Sequence, residues 1–246
     1  MVQKKNSISV IFEKPLAWIF IVLTLFAVPL YFSFTSPQPK LPPILGQVPD
    51  FKLVNQEGRA ITYNTEYRGG VLLVNFIFTS CPDVCPLLSK QMEKIQSRLV
   101  TAAPIIRMVS ISVDPDTDTP AVLKAYGEKF NARFSSWSFL TGDLMQIYDT
   151  IVGGFKVAMD NPKLDPSKKA PTVVADANGK AVAPSKNEMT MDLMEVTHGE
   201  HFVLVDQIGN IRAYMQGNND KQLDQIIKTL GILANTNPLK AAELAR

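Results

Sequence analysis

The chain has 246 residues, 46% hydrophobic and 20% charged, with a formal net charge of +2 and a mean hydropathy of +0.05. That length suits one globular core plus an appendage, and that composition excludes both a disordered chain and a multi-span membrane protein. The near-neutral balance leaves no basic field for nucleic acid, and two cysteines with two histidines cannot build a multi-metal cluster or a disulfide-dense scaffold.

Residues 16–34 are uncharged and rich in Leu, Ile, Phe and Val, and as a helix they would span about 28 Å, close to a bilayer core. Trp18 and Tyr31 fall near the two ends, where amphipathic rings favour the headgroup level. Lys4, Lys5 and Lys14 precede the run and only Lys40 follows closely, which keeps residues 1–15 in the cytoplasm and exports the rest. This predicts a single-pass anchor in the cytoplasmic membrane, with the domain on the periplasmic or extracytoplasmic side. A cleaved signal peptide is the alternative, but the run exceeds a typical apolar region and no small-x-small cleavage site follows Leu30. Without Lys4, Lys5, Lys14 and Glu13 the exported part carries 22 basic against 22 acidic residues. Residues 35–49 contain Pro37, Pro39, Pro42, Pro43 and Pro49, the composition of a semi-rigid spacer. The working domain is then 50–233, followed by a tail over 234–246.

Within that domain 71–79 (VLLVNFIFT) reads as a strand buried on both faces, and 104–113 (PIIRMVSISV) as a second. Between them Leu88, Met92, Ile95 and Leu99 mark one apolar face of a helix over 86–99, which makes a βαβ unit. A helix over 120–130 follows, then a short apolar run at 137–140 and a helix over 143–152. Asn178-Gly179 and Gly209-Asn210 are turn signals, the second between strands at 201–205 and 211–214, and a last helix covers 220–233. Strands alternating with helices and then hairpins predict an α/β fold, thioredoxin-like, with a central mixed β-sheet flanked by helices.

The chemistry converges on Cys81-Pro82-Asp83-Val84-Cys85-Pro86, where the first strand gives way to a helix. Pro86 suits the first helical position, which places Cys85 near the N-cap, where partial positive charge favours a thiolate. Two sulfurs so close can pinch one soft metal ion or pair as a disulfide, but not both at once, so redox state would gate metal binding. A purely stabilising disulfide is the plain alternative, although so short a loop supplies little entropic stabilisation. His198 stands in a loop directly before the 201–205 strand, and the two histidines, three apart, fall on opposite faces of an extended chain. At most one easily reaches the cysteines. Two thiolates and one imidazole suit copper, whereas zinc normally takes a fourth ligand.

The cysteine motif, the stretch Ser112-Val113-Asp114-Pro115-Asp116-Thr117-Asp118-Thr119-Pro120, and His198 placed eight residues before Asp206 resemble the Sco/SenC copper-protein family over about 49–233. The sequence departs from the family at Thr197, where members often have Asp, and over about 160–196, which reads as an enlarged insertion. The resemblance implies a thioredoxin-like domain that binds one copper ion through Cys81, Cys85 and His198. It also implies a chaperone role, helping to assemble the binuclear copper site of cytochrome c oxidase, whose copper-accepting subunit is then the partner. Other copper chaperones or thiol reductases are further partners. The alternative is a thiol-disulfide oxidoreductase using Cys81 and Cys85 on the oxidase cysteines or another exported protein. The C-x-x-C spacing of such enzymes is absent, and no proline occurs between Pro184 and Pro238 where their cis-proline would fall. A thiol peroxidase would need a cation beside its cysteine, and no Arg lies between Arg68 and Arg98.

Two further groups have competing readings. Met189, Met191 and Met194 are either soft ligands that pass Cu(I) along or gap-filling packing, the packing reading being favoured. Asp114, Asp116 and Asp118 could collect hard cations, but the Asp-Pro and Thr-Pro steps favour a plain turn and helix entry. His201, in strand parity with Val203 and Val205, reads as structural and only secondarily as a substitute ligand.

Overall fold

The computed structural model describes residues 15–35, 40–99, 105–157, 159, 174–175, 181–182, 201–217 and 219–236. The chain divides into two compact units, Met1–Lys40 and Leu41–Arg246. In the first, helix α1 (Pro15–Thr35, 21 residues) forms over the apolar run, with Pro29 inside it. Its described side chains are those of 18–32, large hydrophobics that are mostly exposed, and among the described residues no helix is long and apolar enough to cross a membrane.

The second unit is built on one eight-stranded mixed sheet. In chain order its elements are β1 (Gly46–Gln47), β2 (Lys52–Asn55), β3 (Ala60–Thr62), α2 (Tyr63–Glu66), β4 (Val71–Ile77), α3 (Val84–Arg98), β5 (Ile106–Ser112), α4 (Pro120–Lys129), β6 (Trp137–Thr141), α5 (Leu144–Tyr148), a π-helical turn (Asp149–Gly154), β7 (Val174–Ala175), β8 (Ala181–Val182), β9 (His201–Val205), β10 (Asn210–Gln216) and α6 (Asp220–Asn235). The spatial order is β1-β10-β9-β4-β5-β6-β2-β3, and β7 and β8 pair with each other apart from it. The βαβ units make β4, β5 and β6 parallel, while β9 joins β4 antiparallel and brings β10 and β1 with it.

Every residue of β4 is buried, as expected of a central strand covered on both faces. Its side chains alternate between two cores. Leu72, Val74 and Phe76 face Phe51, Tyr67, Ile147 and Phe155, whereas Val71, Leu73 and Ile77 face the helices. On the helical side Leu88, Met92 and Ile95 of α3, Leu123 and Tyr126 of α4 with Phe130 at its C-cap, and Leu223, Ile226 and Leu230 of α6 close one cluster that includes Cys85. The buried Ser89 hydroxyl of α3 and Tyr126 hydroxyl of α4 join the two helices at 2.9 Å.

The β9–β10 turn is held by a buried ion pair. Asp206 accepts from the backbone amides of Ile208 and Asn210 and from Arg212 Nε at 2.7 Å, and Arg212 Nη1 donates to the Pro42 carbonyl at 2.9 Å. Gly209 has φ of +95°, the left-handed conformation that a glycine adopts without strain. The proline-rich stretch is therefore bound to the domain from its Leu41–Val48 portion, where Leu45 and Val48 amides donate to Ile211 and Gly209 carbonyls.

Candidate metal centre

The thiol pair lies where β4 ends. After Ile77 the chain makes a tight turn in which the Cys81 amide donates to the Phe78 carbonyl at 3.1 Å, and α3 starts three residues after Cys81. The helix begins at Val84, two residues earlier than the proline pattern predicts, with Asp83 at the N-cap. Cys85 is thus inside the first turn. A proline is tolerated there because the amides of the first turn have no intrahelical acceptor, and the pre-proline bias against helical backbone is outweighed.

Asp83 makes no side-chain capping bond. The Cys81 sulfur takes that part instead: the Cys85 amide donates to it at 3.4 Å. Burial alone would raise the Cys81 thiol, but the amides of Cys85, Asp83 and Val84 and the Cys85 thiol aim at its sulfur and bring it below an ordinary cysteine. Cys85 behaves oppositely. It is 5% exposed, and burial pushes its thiol up to about 12; the Phe78 amide opposes that shift, while Cys81 and the Asp118 carboxylate add to it. The outcome is a partly exposed thiol held below an ordinary cysteine beside a buried one that holds its proton. Both cysteines are free.

Beneath the pair Tyr126 is pushed up to about 12, chiefly by burial, with Cys85, Cys81 and Asp118 adding to the shift and its bond to Ser89 opposing it. The acidic stretch forms the turn that its prolines suggested: Thr117 and Asp118 amides both donate to the Asp114 carbonyl, and Thr119 caps α4 with Pro120 in its first turn. Asp118 itself is fully buried and accepts from the Thr79 amide, the Thr79 hydroxyl and the Ser112 hydroxyl. The sequence alone does not show the contact with Thr79, which joins residues 39 apart. The available signal was its place in the same Ser112–Pro120 stretch as the turn.

His198, Met189, Met191 and Met194 lie outside the described residues, as does most of the 160–196 stretch. His201 opens β9 opposite Gln216 and is half-buried, in keeping with a structural role. The β4–β9 register runs Leu72 to Val205, Leu73 to Leu204 and Val74 to Val203, so β9 starts beside the end of β4 from which the cysteine turn departs. Among the described residues no three of His, Cys, Asp and Glu gather into a group able to hold a metal. What the described site offers is two soft donors of unequal acidity at the sheet's carboxyl end, where ligands bind in such folds.

Comparison with known proteins agrees with this architecture. The SCO1/SenC family model matches residues 45–233, and the chain belongs to that family. It is 32% identical over 122 residues to the SCO1 protein homolog of Bacillus subtilis, covering 49% of this chain and 63% of that protein, just under two thirds of the relative's length. BsSco, a member of the Sco family of cytochrome c oxidase assembly proteins in which a disulfide switch was identified, has a similar structure. Its TM-score is 0.57 at 26% identity, over 82% of this chain and 100% of that one. Bradyrhizobium japonicum ScoI with copper bound shares the fold at a TM-score of 0.54 and 22% identity, over 76% of this chain and 99% of that one.

Proposed function

We propose that the protein is a membrane-anchored copper chaperone that binds one copper ion through Cys81, Cys85 and His198 and helps assemble the binuclear copper site of cytochrome c oxidase. The observation that carries this reading is the split thiol pair: an ionisable, half-exposed Cys81 captures the ion, and the buried Cys85 closes on it. Cys85 must release its proton when the metal binds, and the ion's charge offsets the burial that otherwise keeps that proton in place. His198 supplies the third, nitrogen donor from the segment just ahead of β9. Release is a ligand exchange that begins on the accessible Cys81 side, with the copper-accepting subunit of the oxidase as recipient. Copper bound to a Bradyrhizobium relative of the same fold supports the choice of metal. The uncharged 16–34 run and the three lysines ahead of it support a single pass through the cytoplasmic membrane with the domain outside.

The same pair favours a second reading, reduction of a partner's disulfide. Cys81 thiolate attacks one partner sulfur, the partner S–S bond breaks and a mixed disulfide forms. Cys85, once deprotonated, attacks Cys81 sulfur and frees the second partner thiolate; the protein is oxidised to a Cys81–Cys85 disulfide and the partner gains both electrons. A copper titration of the full chain tests the chaperone reading. The reduced protein is expected to saturate at about one equivalent and the disulfide form to bind none, because the ligands must be thiolates. Equal binding by the two forms would contradict it.

A further inference from the structure

A fully buried carboxylate costs several kcal/mol unless hydrogen bonds replace its water, and Asp118 has no ion-pair partner among the described residues. Its three donors come instead from two places that sequence separates widely. Ser112 Oγ, at the end of β5, donates to Oδ2, and Thr79, 39 residues earlier, donates its amide to Oδ2 at 3.1 Å and its hydroxyl to Oδ1. The frame behind Asp118 is hydrogen-bonded throughout. Ser112 Oγ also accepts from the Asp114 amide at 3.0 Å, the Asp118 amide donates to the Asp114 carbonyl at 2.9 Å, and Thr119 caps α4. In front of it, Thr79 sits inside the 78–81 turn. The Phe78 carbonyl accepts from the Cys81 amide, the Phe78 amide aims at Cys85, and Cys81 sulfur in turn accepts from the Cys85 amide.

We propose that Asp118 is the positioning residue of the thiol pair, fixing the 78–81 turn against the end of β5 and the start of α4 so that Cys81 is presented outward and Cys85 is kept covered. The role belongs to the metal-free protein. Its consequence for copper rests on the chaperone reading above: the two sulfurs are held at a fixed relation before the ion arrives, which lowers the ordering cost of capture. An apolar side chain at this point would pack the core without the cost of burying a carboxylate.

The test is the ratio of iodoacetamide reaction rates at Cys81 and Cys85, read by peptide mass spectrometry on the reduced, metal-free full chain, well below the melting midpoint of each variant. In the parent Cys81 is expected to react faster, being the more exposed thiol of the two. In Asp118→Ala the ratio is expected to fall about tenfold, and in Thr79→Val or Ser112→Ala about two- to threefold, the scale on which supporting hydrogen bonds act at such sites. Asp118→Asn keeps the shape and one carbonyl acceptor for Thr79, and is expected to stay within about twofold of the parent. A pin that served stability alone would lower the melting midpoint and leave the ratio where it was, and that result overturns the proposal. If Asp118→Ala does not fold, Thr79→Val and Ser112→Ala decide by the same criterion. A parent that takes up no copper while the ratio collapses in the variants would sink the copper reading and support the positioning role.

Discussion

Cys81→Ser and Cys85→Ser are each expected to weaken copper binding by at least about a hundredfold, beyond the loss typical of an outer-shell partner. A serine hydroxyl is a hard, neutral donor at pH 7, and one remaining thiolate cannot hold a soft ion between two sulfurs. The two variants reach that end differently. Cys81→Ser removes the partly exposed sulfur whose thiol is held below an ordinary cysteine; Cys85→Ser removes the buried one whose thiol is pushed up and must lose its proton to the metal. His198→Ala should weaken binding less than either, since a water can take the vacated position, and His201→Ala should leave it within about twofold of the parent, because His201 is placed in β9 opposite Gln216. Competition against a chromophoric copper chelator measures all four. A loss in His201→Ala equal to that in His198→Ala would reassign the nitrogen donor.

Arg212→Met carries the largest expected cost to stability. The guanidinium and Asp206 are each at most 6% exposed, and removing one partner leaves a buried carboxylate with only the Ile208 and Asn210 donors while releasing the Pro42 carbonyl. Breaking a buried pair in this way costs about 3–5 kcal/mol. Urea unfolding is expected to show that loss, and the double variant Asp206→Asn with Arg212→Met should recover part of it, because no unpaired charge then remains. A single-variant change below about 1 kcal/mol would mean that water reaches the site and that the pair does not hold the turn.

The same physics explains which parts of the molecule could be seen in its sequence. β4 is an unbroken apolar run because both its faces are covered, and Leu88, Met92 and Ile95 recur at helical spacing because α3 packs one side only. Those two signals located the βαβ unit and the cysteine turn at its end. β2 and β3 are four and three residues long, too short for a period to show in the sequence. The proline rule places the start of α3 two residues late, because here the Cys81 sulfur supplies the acceptor that lets the helix begin sooner. The π-helical turn at Asp149–Gly154 continues what periodicity reads as an ordinary helix over 143–152, since a widened turn barely alters the spacing of Ile147 and Ile151. At the site the sequence exposed what is local, the thiols and their turn. The Asp118–Thr79 contact depended on the fold bringing 79 and 118 together, and no spacing rule reaches across 39 residues.

The central claim is that one copper ion sits between Cys81, Cys85 and His198, and the X-ray absorption spectrum of the copper-loaded full chain, measured beside His198→Ala, tests it most directly. The account predicts two sulfur scatterers and one imidazole on a single copper, with the sulfurs retained and the imidazole signal lost in the variant. A spectrum without sulfur scatterers, or one that His198→Ala leaves unchanged, would contradict it.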